Sequence, residues 1–178
     1  TPYFTNLKRY SQKPVGTFHA LPVARGKSVF RSKWIRDMGH FYGTNLFLAE
    51  SSATTGGLDS LLEPTGNIKR AQAMAARAFG ADRAYFVTNG TSTSNKIVLQ
   101  ALLAPGDIVL IDRNCHKSHH YAMVLSGAQP LYLEAYPMTA YSMYGAVPLR
   151  SIKKALLDLK AEGKLERAKL VDLTNCTF

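Results

Sequence analysis

The chain has 178 residues, of which 46% are hydrophobic and 19% charged, with 13 glycines and 8 prolines. A chain of this length buries roughly 70% of the surface its unfolded form exposes, and the composition excludes disordered and fibrous classes. The longest apolar stretches, Ile97–Ala104 and Ile108–Ile111, are broken by Gln100 or stopped by Asp112, far short of the roughly 18 residues of a membrane span. Thr1–Tyr10 mixes polar, aromatic and basic residues without the apolar core of a signal peptide, so the chain reads as cytoplasmic. Its two cysteines, Cys115 and Cys176, read as reduced thiols rather than a disulfide framework.

The formal charge of +10 is unevenly spread. Residues 1–40 carry eight basic groups and one acidic group, whereas residues 41–178 carry fourteen against eleven. This favours a basic N-terminal arm over residues 1–40 that packs on another chain or domain. A nucleic-acid-binding face is disfavoured, because no stacking pattern or recognised motif accompanies the charge. An opening residue of Thr reads as a processed or excised piece.

From residue 66 the pattern becomes regular. Ile68, Ala71, Ala75, Ala78 and Phe79 lie at helical spacing and Gly80 follows as a stop, predicting a helix. Ala84–Thr88 reads as a strand, and Thr91–Leu103 as a helix ended by Pro105-Gly106-Asp107. Asp107–Asp112 is a continuous apolar run of the kind buried on both faces, followed by a helix from about Lys117 to Leu125 and the stop Gly127. Pro130–Ala135 predicts a strand, Leu149–Glu162 a helix behind Pro148, and Lys169–Thr174 a last strand. Residues 36–65 show no clean periodicity and read as loop or short helix.

Strands alternating with helices at this spacing predict an α/β fold: a mostly parallel sheet with helices on both faces. A doubly covered sheet needs further elements at its edge, so the chain reads as truncated.

In such a sheet ligands bind at the carboxyl ends of the strands. Two loops there carry chemistry. In Thr88-Asn89-Gly90-Thr91-Ser92-Thr93-Ser94-Asn95, Gly90 admits close backbone approach, Thr91 and Ser92 offer hydroxyls, and the helix N-terminal amides favour a phosphate. The competing reading is plain N-capping by Asn, Ser or Thr. The loop is neither a P-loop nor a dinucleotide fingerprint, lacking the terminal Gly-Lys-Ser/Thr and the further glycines.

The second loop is Asp112-Arg113-Asn114-Cys115-His116-Lys117-Ser118-His119-His120, where His116 is placed to stack on the flat ring of a ligand held at Gly90–Ser92. Other readings stay open. Cys115, His116, His119 and His120 as metal ligands lack a CxxC or HExxH partner spacing. Cys115 as a nucleophile with His116 as base lacks an orienting acid, and Lys117 as a Schiff-base lysine needs a desolvated amine. His119 and His120 read as surface or packing residues.

Six stretches taken together are more specific. Gly57-Leu58-Asp59-Ser60-Leu61-Leu62-Glu63-Pro64-Thr65-Gly66, Phe79-Gly80-Ala81-Asp82-Arg83, Val87–Ser92, Pro105-Gly106-Asp107, Asp112–Ser118 and Leu173-Thr174-Asn175-Cys176-Thr177-Phe178 occur in this order. Together they resemble the bacterial ornithine/lysine/arginine decarboxylases. The resemblance spans roughly residues 18–178 and implies the first half of an aspartate-aminotransferase-like large domain over residues 41–178. It implies pyridoxal 5'-phosphate as cofactor, its phosphate held by Gly90, Thr91 and Ser92, with His116 stacked on its ring as the catalytic-site histidine and no metal. It further implies a cytoplasmic lyase of amino-acid and polyamine metabolism acting on lysine, arginine or ornithine, assembled as a homo-oligomer with the remainder of its large domain. The family's Pro-Gly-His-Lys stretch has no counterpart after Phe18-His19, where Pro22-Val23-Ala24-Arg25-Gly26-Lys27 follows, and the family's Ser-x-His-Lys stretch is absent from the 178 residues. The chain by itself is therefore expected to be inactive. A non-catalytic regulatory or structural relative, or a nucleic-acid binder, are the alternatives.

Overall fold

The computed structural model describes residues 1–18, 23–51 and 58–175. Gly57, which opens the first family-like stretch, His19 to Pro22, and Cys176-Thr177-Phe178 at the end of the last stretch lie outside these. The chain divides into two compact units, Thr1–Phe86 and Val87–Phe178.

The first unit is helical: α1 (Pro2–Gln12), α2 (Lys27–Arg31), α3 (Arg36–Tyr42), α4 (Thr44–Leu48) and α5 (Asn67–Phe79). The basic residues of the first forty positions are thus carried largely on short helices. Helix α1 packs on α5, with buried Tyr10 and a hydrogen bond from Asn6 Nδ2 to Asn67 Oδ1 at 2.5 Å. The end of α1 is closed by Arg25, only 7% exposed. Its guanidinium donates to the carbonyls of Tyr10, Ser11, Lys13 and Leu48, so a buried cation meets the negative end of a helix dipole. Helix α5 starts under the Asp59 carboxylate, which accepts from the backbone N–H groups of Thr65, Gly66, Ile68 and Lys69, and stops at Gly80 with φ of 65°. Helices α3 and α4, seven and five residues long, are too short to show a period in sequence.

The second unit contains α6 (Thr91–Leu102), β1 (Ile108–Asp112), α7 (Lys117–Ser126), β2 (Gln129–Leu133), the two-residue strands β3 (Pro137–Met138) and β4 (Met143–Tyr144), α8 (Leu149–Ala161) and β5 (Ala168–Asp172). The larger sheet is parallel with order β2-β1-β5. Central β1 is buried at every position. Its alternate side chains serve two cores: Val109 and Ile111 pack with Leu99, Leu103, Ala122 and Met123 from the α6–α7 side, and Ile108 and Leu110 pack with Leu133, Ala155 and Leu159 from the α8 side. That is the period-two division of a strand covered on both faces. Pro105-Gly106-Asp107 lies at the opposite end of β1 from His116. There Arg167 donates twice to Gly106 O, at 2.9 and 2.7 Å, and Gln129 N–H donates to Asp107 O, so this stretch serves the sheet.

The strand expected over Ala84–Thr88 does not form. A strand is defined by its ladder, and these residues pair with neither outer edge of the sheet, on β2 or on β5. Tyr85 is left 73% exposed and Phe86 40%.

Candidate functional site

Helix α6 begins at Gly90, whose φ of 79° and ψ of 166° lie in a region that glycine alone occupies readily. This N-cap residue has no side chain, and no side-chain cap bond closes the helix, so plain N-capping does not account for the loop. Thr93 is spent on the turn: its Oγ1 donates to Asn89 O at 3.0 Å and its N–H to Gly90 O at 3.0 Å. The hydroxyls of Thr91 and Ser92 stand on the exposed first turn, and the N–H groups there have no acceptor one turn back. Two hydroxyls, free amides and a helix dipole fit a phosphate group.

His116 is the N-cap of α7. Its Nδ1 accepts from Ser118 N–H at 3.2 Å and lies 2.9 Å from Ser118 Oγ. Because a backbone N–H can only donate, Nδ1 carries no proton and the neutral ring holds its proton on Nε2. The ring is exposed while Ser118 is 1% exposed, so a buried hydroxyl fixes a flat, accessible imidazole. A ring of this kind fits the face of an aromatic ligand.

The remaining polar residues of the loop are otherwise engaged. Cys115 pairs with His120 rather than His116: its Sγ lies 3.4 Å from His120 Nε2, and His120 Nδ1 is 3.1 Å from Tyr132 Oη. Burial, with added charge from Asp172 and Asp112, pushes the Cys115 thiol up, against its own backbone hydrogen bond; a nucleophile needs the opposite. Lys117 is exposed, which removes the desolvation a Schiff-base lysine requires. Among the described residues no group of three His, Cys, Asp or Glu side chains is arranged to hold a metal ion. Asp112 is fully buried at the end of β1, accepting from Asn114 N–H at 2.9 Å.

Of the two readings of His119 and His120, surface or packing, the structure shows packing: both are half-buried and hydrogen-bonded. His119 Nδ1 meets Asp172 Oδ2 at 2.5 Å, with the two side chains 18% and 16% exposed. Its Nε2 lies 3.0 Å from Asn95 Nδ2, which also donates to Ser118 Oγ at 2.9 Å. Asn95, one turn into α6, therefore ties the first turns of α6 and α7 together beside both Thr91-Ser92 and His116. The sequence alone carried one signal for these residues, an amide placed in the first turns of a helix that opens on a ligand loop. The Asp172 contact depends on strand pairing and has no local signature. A small cleft of about 120 Å³ between Asp112–Asn114 and Glu134, Ala135 and Tyr144 does not include Gly90, Thr91, Ser92 or His116.

A parallel sheet wrapped by helices, with the start of α6 and the His116 imidazole at its carboxyl end, defines an α/β protein. The family model for the Orn/Lys/Arg decarboxylase major domain matches residues 1–178, so the chain belongs to that family, and the match also takes in residues 1–17. The chain is 35% identical over 184 aligned residues to lysine decarboxylase LdcA of Pseudomonas aeruginosa, covering 99% of this chain and 24% of that protein. It is 42% identical over 135 residues to the constitutive ornithine decarboxylase of Escherichia coli, covering 75% and 19% respectively. Among solved structures, the constitutive lysine decarboxylase of E. coli superposes with a TM-score of 0.80 at 34% identity, over 95% of this chain and 24% of that one. The chain thus spans about a quarter of the length of these relatives, and no helix of its described part is long and apolar enough to cross a membrane.

Proposed function

We propose that this chain supplies the cofactor-phosphate and ring-stacking part of a pyridoxal-phosphate-dependent decarboxylase of a basic amino acid. The observation that carries the reading is the pairing of an uncapped, hydroxyl-bearing helix start at Gly90–Ser92 with an exposed, hydrogen-bonded imidazole at His116. Thr91, Ser92 and the amides of α6 would hold the phosphate, and His116 would lie against the pyridine ring. When bound, pyridoxal phosphate withdraws electrons from the substrate's α-carbon as carbon dioxide leaves. The chain's own residues orient the cofactor and hold the Nδ1 side of His116 on Ser118, so that the plane of the stacked ring is fixed.

On this reading residues 1–40 are the basic arm and residues 41–178 the first half of the cofactor-binding domain. The whole protein is a cytoplasmic homo-oligomer. Relatives named for lysine and for ornithine match at comparable identity, so the substrate is assigned only as a basic amino acid. No Ser-x-His-Lys stretch occurs in the 178 residues, so the chain alone is expected to bind the cofactor weakly and to show no turnover.

The test compares pyridoxal phosphate with pyridoxal in the intact protein. Replacing Thr91 and Ser92 together by Ala removes two donors to a charged group, each worth about 1.5–3 kcal/mol, so pyridoxal phosphate affinity falls by at least tenfold while pyridoxal affinity is unchanged. His116→Ala weakens both ligands. Equal losses for the two ligands in the double variant, or unchanged pyridoxal phosphate affinity, would overturn the assignment of the phosphate site.

A further inference from the structure

We infer that Asn95 is a positioning residue for His116: it directs the Ser118 hydroxyl proton onto His116 Nδ1, and it is held in that orientation by the Asp172–His119 pair. The inference rests on the proposed role of His116 against the cofactor ring. Its grounds are four successive contacts, each of which fixes the direction of the next.

Asp172 Oδ2 can only accept, so His119 presents a proton on Nδ1, 2.5 Å away. The Asn95 atom 3.0 Å from His119 Nε2 is Nδ2, which can only donate, so Nε2 accepts there. The second N–H of that amide points at Ser118 Oγ, 2.9 Å away. Ser118 Oγ accepts there, which leaves its own proton for His116 Nδ1 at 2.9 Å. With Ser118 N–H already donating at 3.2 Å, Nδ1 receives two donors and the ring's proton is kept on Nε2. Burial makes the chain selective: Ser118 is 1% exposed, and Asn95, His119 and Asp172 are half-buried. The other charged groups of the neighbourhood are Asp112, fully buried at the end of β1, and Arg113 and Lys117, both exposed on the same loop. An amide whose oxygen faced the pair would draw both the Ser118 proton and a proton on His119 Nε2, stripping one donor from His116. Two donors on Nδ1 fix the plane of the ring and leave Nε2 on the side away from Ser118.

The test uses the intact protein without added cofactor and reads the titration midpoint of each histidine from hydrogen–deuterium exchange at imidazole C2 by mass spectrometry. Ser118→Ala raises the His116 midpoint by about half a unit or more, the size of one neutral hydrogen bond. Asn95→Asp turns the Ser118 proton away from His116 and also raises the midpoint. In the Ser118→Ala background Asn95→Asp raises it much less, because there is no hydroxyl proton left to redirect. Asn95→Leu removes the donor that directs the Ser118 hydroxyl and raises the midpoint by less than Ser118→Ala does.

An Asn95→Asp shift of the same size with and without the hydroxyl means that added charge alone acts, and overturns the relay. So does an unchanged midpoint in Asn95→Leu, which means that the amide directs nothing. An unchanged midpoint in Ser118→Ala overturns it without reference to any Asn95 variant. Because these readouts need no cofactor, they separate from the cofactor reading: His116→Ala with unchanged pyridoxal phosphate affinity removes that reading even where the midpoints behave as stated.

Discussion

Asp59 shows how one side chain organises a helix start without standing at its N-cap. Burial raises its pKa, but the N–H groups of Thr65, Gly66, Lys69 and Ile68 outweigh this and lower it from 3.8 to about 2. A carboxyl depressed in the folded state stabilises fully above 3.8, and that contribution is lost as the pH falls through 2. The expected result is a thermal midpoint that drops between pH 4 and 2 more steeply in the parent than in Asp59→Asn, with the variant melting lower than the parent at neutral pH. Parallel acid profiles for the two would sink this account. The place of Gly90 ahead of a hydroxyl-bearing helix start was legible from sequence, because Thr91–Leu102 displays its own period. His119 and Asp172 were not, since 53 residues separate them and only the pairing of Ile111 with Asp172 in adjacent strands brings that carboxylate to α7.

At the scale of elements, helices α5 to α8 and strands β1, β2 and β5 follow the periodicity of their residues to within one or two positions at most ends. Each of these elements buries a face whose spacing its sequence already displays. Ala84–Thr88 is the exception: its residues favour an extended chain, but a strand is a relation between two segments, and no second segment pairs with this one. Leu110 lies where these elements converge, fully buried in the middle of β1 and in the core that α8 closes. Leu110→Ala is expected to destabilise the second unit by about 2–5 kcal/mol through lost burial and a residual cavity, read as a shift in the urea midpoint by far-UV circular dichroism. A loss below about 1 kcal/mol would mean that the α8 side of the sheet collapses onto the gap.

For the whole molecule, the second unit exposes apolar side chains that a complete small domain rarely leaves in water. Leu102 and Tyr121 are 56% and 55% exposed, Val124 80% and Leu125 60%, on the two helices that also carry the candidate site. With the chain spanning about a quarter of its relatives' length, the 178-residue chain purified alone is expected to bind an apolar dye and to elute larger than a monomer in sizing. A dye-negative monomer would refute this.

The sequence by itself determined which segments become helices and buried strands, where the chain turns, and which loops carry Gly90, Thr91, Ser92 and His116. Those features are written in spacings of two to four residues, within reach of local sterics and side-chain capping. Only the tertiary structure decided that Cys115 pairs with His120 instead of His116, that Thr93 rather than Thr91 or Ser92 is consumed by the turn, and that Asn95 and the Asp172–His119 pair stand behind His116. Those choices depend on which strands lie side by side and which helix ends meet, and no local pattern encodes a hydrogen bond between groups that the sheet alone brings together.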